Sequence, residues 1–212
     1  DEGDSINEKN RTYCELTGQY WAWQNTDADY YGFLHYRRYF NFSKTEYPIH
    51  HEPFIFGDVT IDRNDDETLQ LIDFNEEAMR KVITAHDFIA PEPIEALEKT
   101  TVYEKYRDSF GHHIEDLDTV MDNIRLRYPD IWPSAQKYLN QTKVYVCNMF
   151  VMRRELFRAY SAFLFDVLST HEKMRDFSHY SPVARRVSGY LGERICGMYL
   201  TYLYDKGYDG ID

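Results

Sequence analysis

The amino-acid sequence predicts a single α/β domain, and three observations carry that expectation. Apolar runs of strand length alternate with longer segments whose apolar residues recur at helical spacing. The chain has 212 residues, 43% of them hydrophobic, which is enough to build one sizeable core. Neither an internal repeat nor a low-complexity tract breaks the pattern, and nothing in the composition marks a split into two domains.

Taken in order, the first helix is expected over TYCELTGQYWAWQN, residues 12–25. Thr12 and Glu15 have capping-box spacing, and Leu16, Tyr20 and Trp23 recur at helical intervals. A buried strand follows in DYYGFLHYRRYF, residues 29–40, entered from the polar NTDAD. Residues 41–68 contain EPFIFGDVTIDRNDDET and read as a hairpin or excursion with an acidic tip. A helix over Asn75–Ala85 leads into HDFIAPEPI, a short strand stopped by Pro91 and Pro93. From Val102 to Leu139 the text is helical and polar, broken at Pro129 and Pro133, and reads as an insertion beside the sheet. KVYVCNMFVM, residues 143–152, is a second buried strand. Two long helices close the chain, one starting near Arg154 and one near Pro182.

Charge and cysteine usage bound the function. A formal net charge of -12 speaks against general nucleic-acid binding, because attraction to phosphate needs clustered positive charge. The three cysteines, Cys14, Cys147 and Cys196, form no CxxC pair and suit free thiols in a reducing compartment, so a cytoplasmic location is expected. The 19 tyrosines combine an apolar ring with a hydrogen-bonding tip, which suits surfaces that bind sugars or nucleobases, although most single tyrosines line a core rim. No signal peptide and no bilayer-length apolar run is present, and the opening DEGDSINEKNR without Met reads as a trimmed N-terminus.

Four short patterns are candidates for chemistry. Asp27-Ala28-Asp29 matches the Asp-x-Asp metal motif of nucleotide-sugar transferases, but it precedes a strand instead of following one and reads as a solvated turn. DRNDDE at 62–67 lacks the Gly and distal Glu of a calcium loop and reads as an acidic tip. In HHIEDLD, residues 112–118, His112 and Asp116 share a face if helical, but the segment supplies an incomplete metal site, leaving His113 as a candidate substrate contact. His35-Tyr36-Arg37-Arg38 ends a strand, so His35 and Arg37 are expected on one face and Tyr36 and Arg38 on the other. Two adjacent arginines there either reach solvent or meet an anion, whose oxygens the guanidinium fork matches.

Together, YCELTGQYWAWQN, YYGFLHYRRYF, NMFVMRRELF and RRVSGYLGER resemble the bacterial family catalogued as Domain of Unknown Function 4422. That family looks like a group of glycosyltransferases for capsule, exopolysaccharide and O-antigen assembly. The blocks fall in the family's order and span nearly the whole chain. The resemblance implies one GT-A-like, Rossmann-like domain over residues 1–212, with a central mainly parallel sheet and flanking helices, and without the family's first strand.

The implied activity is hexosyl transfer from a nucleotide diphosphate donor, a UDP-sugar in the first instance, to a bacterial surface glycan or lipid-linked glycan. Such an acceptor implies peripheral association with the inner membrane face. His35, Tyr36, Arg37 and Arg38 occupy the usual place of Asp-x-Asp and become the donor site, with Tyr20 and Trp21 as stacking faces. Asn148 is carried over as an acceptor contact, with Arg186 beside it. Glu193 is the first choice for the base that takes the acceptor's proton and His113 the second; an ion pair of Glu193 with Arg186 or Arg194 is the structural alternative. No metal ligand is named: Mn or Mg remains an option, but not one held by an Asp-x-Asp motif. The competing class is a non-catalytic module that binds a glycan or nucleotide sugar within a larger assembly enzyme.

Overall fold

A computed structural model describes residues 2–45, 65–95 and 99–211. The chain opens with a short turn and helix α1 (Asn10–Tyr13), then α2 (Leu16–Asn25) and strand β1 (Tyr30–Phe33). Helices α3 (Asp66–Leu71) and α4 (Glu76–Ile83) precede strands β2 (Phe88–Ile89) and β3 (Ile94–Glu95). Three helices follow: α5 (Val102–Asp108), α6 (Ile114–Arg127) and α7 (Trp132–Asn140). Strands β4 (Lys143–Val144) and β5 (Phe150–Arg153) lead into α8 (Arg154–Met174), α9 (Val187–Asp205) and β6 (Gly210–Ile211).

The larger sheet runs β1-β5-β2-β6, and its pairing corrects the expected mainly parallel arrangement. β5 lies antiparallel to both β1 and β2, with Phe33 opposite Phe150 and Phe88 opposite Met152; among the described residues only β2 and β6 are parallel. The strand after Asp29 and the strand before Arg154 are adjacent, with β1 at the edge of the sheet and β5 inside it. Their antiparallel direction follows from chain path: β5 runs straight into α8, whose first turn comes back to the entrance of β1, where the Arg154 amide donates to Asp29 O at 2.8 Å. A separate antiparallel pair joins β3 to β4.

Alternation along β5 divides the molecule into layers. Phe150 and Met152 face the main core, shared with Tyr31, Phe157, Tyr160 and Leu164 under α8 and α9. Val151 and Met149 face the other side, where Phe40 and Ile89 complete a smaller cluster. Helix α9 is buried along most of its length. The helices between Val102 and Leu139 are not an insertion beside the sheet: Tyr106, Leu117, Ile124 and Tyr138 are wholly buried in the main core. Their polar text reflects outer faces, while the apolar positions pack inward.

Three further expectations meet local corrections. The first helix is two helices, because Cys14 takes a left-handed conformation at φ 53. Thr12 and Glu15 therefore form no capping box, and Glu15 caps α2 without a side-chain hydrogen bond. The strand at 29–40 ends at Phe33, after which His35 and Arg38 face each other across a tight turn. The alternating outlook of His35/Arg37 and Tyr36/Arg38 is lost with it. KVYVCNMFVM is likewise broken into β4 and β5 by left-handed Cys147 (φ 71) and Asn148 (φ 48). Most of the 41–68 excursion, residues 46–64, lies outside the described residues; of the acidic tip, Asp65 caps α3 by accepting from Thr68 N. No described helix is long and apolar enough to cross a membrane.

Candidate functional site

The site forms where three chain reversals, the α1–α2 corner, the turn after β1 and the left-handed pair before β5, meet the N-terminal half of α9. Close packing brings the corner to the helix. A Cβ on Gly189 would lie 3.1 Å from Cys14 Sγ, and one on Gly192 would lie 2.7 Å from Leu16 Cδ1. The bare backbone of α9 thus seats Cys14 and Leu16, and Glu15 between them is left at the surface.

Hydrogen bonds then tie the reversals together. Asn148 Nδ2 donates to Glu15 Oε1 at 2.7 Å. The Cys147 amide donates to Glu193 Oε1 at 3.3 Å, and Arg194 donates to Glu193 Oε2 at 2.8 Å. A guanidinium nitrogen of Arg38 donates to Cys147 Sγ at 3.2 Å. The second carboxylate oxygen of Glu15 has no hydrogen-bond partner among the described residues, and Asn148 Oδ1 is buried without one. Left-handed backbone in residues other than glycine costs free energy and is retained where a site needs it; Cys14, Cys147 and Asn148 all lie here.

His35 shares this environment. Its ring Nδ1 accepts from the Arg37 amide at 3.3 Å, which places the proton of a neutral ring on Nε2. Burial pushes its pKa down, Arg38 and Arg37 push it further, and Glu15 and Glu193 pull back up. The imidazole is therefore neutral near pH 7. Lys105 is also held below its ordinary range, first by burial and then by Arg194.

Of the residues expected from sequence, His35, Arg38, Asn148 and Glu193 are brought together. Arg37 is exposed, its guanidinium 4.7 Å from the ring centroid of Tyr36, which is itself exposed. Arg186 sits one step away, its Nε 3.4 Å from Cys14 Sγ. Tyr20 and Trp21 make their contacts elsewhere, with the hydroxyl donating to Asp4 at 3.3 Å and the indole to Glu2 O at 3.0 Å. His113 precedes α6 and stacks on Tyr180 at 4.4 Å. His112 packs between Tyr106 and Tyr190.

The two acidic patterns have structural partners. Asp27 and Asp29 pair with Arg154 and Arg158 at the start of α8. Asp116 is wholly buried. Burial alone would raise its pKa, yet hydrogen bonds from His171 and Tyr180 and the charge of Arg175 hold it below the usual carboxylate range. Among the described residues no group of three or more His, Cys, Asp or Glu is placed to hold a metal ion.

Sequence reasoning missed Glu15, which it spent on a capping box, and the part played by Cys14 and Cys147, which it read only for redox state. An Asn in an apolar strand was the one available signal for the turn, since Asn tolerates left-handed backbone better than most residues.

The family model described as "Domain of unknown function (DUF4422)" matches residues 1–204. No curated protein matches the chain. A solved apo structure of the WbbM bifunctional glycosyltransferase is similar at 31% identity with a TM-score of 0.90. The likeness covers 100% of this chain and 37% of that one, so the chain spans little more than a third of that protein's length.

Proposed function

From the premise that the chain belongs to the DUF4422 family, we propose that it is a glycosyltransferase domain that moves a hexosyl group from a nucleotide diphosphate sugar to a glycan acceptor. The observation that carries the reading is the meeting of an arginine, a neutral imidazole and two carboxylates at one strained junction, on a chain similar throughout to part of a bifunctional glycosyltransferase.

In an inverting course, the acceptor hydroxyl loses its proton as its oxygen bonds to the anomeric carbon, while the bond to the diphosphate breaks. Glu15 is the group suited to take the proton: one oxygen is oriented by Asn148, and the other is open to an incoming hydroxyl. Glu193, the first choice from sequence, has both oxygens engaged by Cys147 N and Arg194, and serves as the positioning residue of the Cys147–Asn148 turn. Arg38, with Arg37 at the rim, supplies fixed positive charge for the departing diphosphate, and neutral His35 offers Nε2–H as a donor beside it. A UDP-sugar as donor and a surface or lipid-linked glycan as acceptor complete the proposal.

The test is a donor screen by calorimetry and turnover, with and without chelator, on the full-length protein. Turnover with a nucleotide sugar is the expected result, falling about 10²–10⁴-fold in Glu15→Gln and by about 3 kcal/mol of transition-state stabilisation in Arg38→Ala. Arg38→Lys should recover only part, because it lacks the fork. Full activity in Glu15→Gln would overturn the base assignment. Binding of a sugar nucleotide without turnover would favour the module reading.

A further inference from the structure

Beside the carboxylate junction, a surface cavity of ≈ 540 Å³ is lined by Arg11, Tyr180, Pro182, Arg185 and Arg186. That volume falls within the roughly 300–1,000 Å³ typical of small-ligand sites. Three of its five lining residues are arginines, in a protein whose net charge is -12.

Among the described residues none of the three is ion-paired. Arg185 donates to the carbonyl oxygens of Tyr180 at 3.2 Å and Ser178 at 3.5 Å, and Arg186 to Cys14 Sγ at 3.4 Å. Those partners aim the guanidiniums without matching their charge. Two carboxylates lie near the cavity: Asp116, hydrogen-bonded to the Tyr180 hydroxyl and already met by Arg175 Nε at 3.1 Å, and Glu15, whose charge acts on Arg186 without forming an ion pair with it. Three like charges held around one concavity repel each other, and an anion with several oxygens relieves that repulsion through bidentate contacts.

We infer that this cavity binds a diphosphate group. Arg186 reaches from it to Cys14, the neighbour of Glu15, so a diphosphate seated there presents whatever sugar it carries toward the junction. That second step rests on the glycosyl-transfer reading; anion binding itself does not. The same chemistry has two sources, the nucleotide of a donor and the lipid-linked diphosphate of an acceptor. With Arg37 and Arg38 assigned to the departing diphosphate, the acceptor is the source we expect.

The experiment is calorimetry at low salt with inorganic pyrophosphate on the full-length protein, with Arg37→Ala/Arg38→Ala as the background that removes the other arginine pair. Arg11, Arg185 and Arg186 are exposed, so their variants should fold, and urea midpoints check this. Pyrophosphate should bind in that background and weaken at least about tenfold in Arg185→Ala/Arg186→Ala and in Arg11→Ala. Equal affinity across these variants, or no binding to the parent, overturns the site. Displacement by geranyl diphosphate but not UDP confirms the acceptor as source; displacement by UDP alone overturns that choice for the donor. Displacement by neither leaves an anion site and overturns its link to substrate. Failure of turnover with pyrophosphate binding intact would count against the transfer reading and leave the cavity's assignment standing.

Discussion

Replacing Glu193 with Gln should destabilise the protein before it says anything about catalysis. The Arg194 side chain is 7% exposed, Glu193 is 29% exposed, and Glu193 supplies the carboxylate at 2.8 Å. Arg194 Nε is already buried without a partner. Gln carries one acceptor oxygen where Glu has two, so it satisfies either Arg194 or the Cys147 amide and turns its own NH₂ toward the other. Removing one partner of a buried pair costs about 3–5 kcal/mol; the exposure of Glu193 places this pair near ~3. In urea, with a slope of about 1–3 kcal/mol/M, the midpoint should fall by roughly 1 M or more. Adding Arg194→Met removes the stranded charge, and the double variant should recover about 2 kcal/mol of the loss. A Glu193→Gln stability within about 0.5 kcal/mol of the parent would refute the reasoning, as would a double variant less stable than the sum of its singles. Turnover measured well below the transition should then fall less in Glu193→Gln than in Glu15→Gln, because Glu193 acts through the turn.

Asn148→Gly should leave stability within about 1 kcal/mol, since glycine suits φ 48, while turnover falls with the loss of the bond to Glu15; thermal melts and kinetics on one preparation separate the two. Gly197→Ala should cost about 2 kcal/mol or more and lower the melting temperature by roughly 4–8 °C, because its Cβ would collide with the ring of wholly buried Tyr138. Burial, followed by the nearby Arg194, lowers the pKa of His112 from 6.5 to about 4. The neutral ring therefore contributes stability that is fully present above pH 6.5 and lost as pH falls toward 4. The full shift corresponds to about 3 kcal/mol, and roughly half of that after screening of a partly exposed ring. Urea titrations at pH 7 and pH 4.5 should show the fall, and His112→Gln should flatten it.

Burial was legible in the sequence, and direction was not. Phe150, Met152 and Tyr31 read as core because apolar runs bounded by polar text have to be covered, and α8 and α9 follow from helical spacing over many residues. The same runs are silent on whether neighbours lie parallel or antiparallel, which depends on where the connecting helix returns. Family resemblance supplied the parallel answer, and the described strands gave mostly antiparallel pairs. Turns were missed wherever neither Gly nor Pro marked them. His35–Arg38 reverses the chain in text that continues a strand pattern, and Cys147–Asn148 does so in the middle of an apolar run. Of the site residues, His35 and Arg38 were reachable because a polar group at the end of an apolar strand has to be matched by something, and Asn148 and Glu193 were reached through the family resemblance. Glu15 was not reachable, since its role depends on a left-handed residue before it that sequence does not announce.

The block RRVSGYLGER ties these pieces into one device. On α9 and the turn before it, Arg186, Gly189 and Glu193 recur at i, i+3 and i+7 and so fall on one face. Each does a different job along that face. Arg186 points to the cavity, Gly189 admits Cys14, and Glu193 anchors the turn that holds Asn148 against Glu15. A rigid, mostly buried helix therefore fixes the distance between the anion-binding cavity and the open carboxylate, whereas the loops that carry Glu15 and Asn148 are strained and would not hold that distance alone. The turn that leads into α9 carries Arg185 and Arg186 of the cavity, so the core that holds α9 also holds those two cations, and the proposed transfer takes its precision from that core.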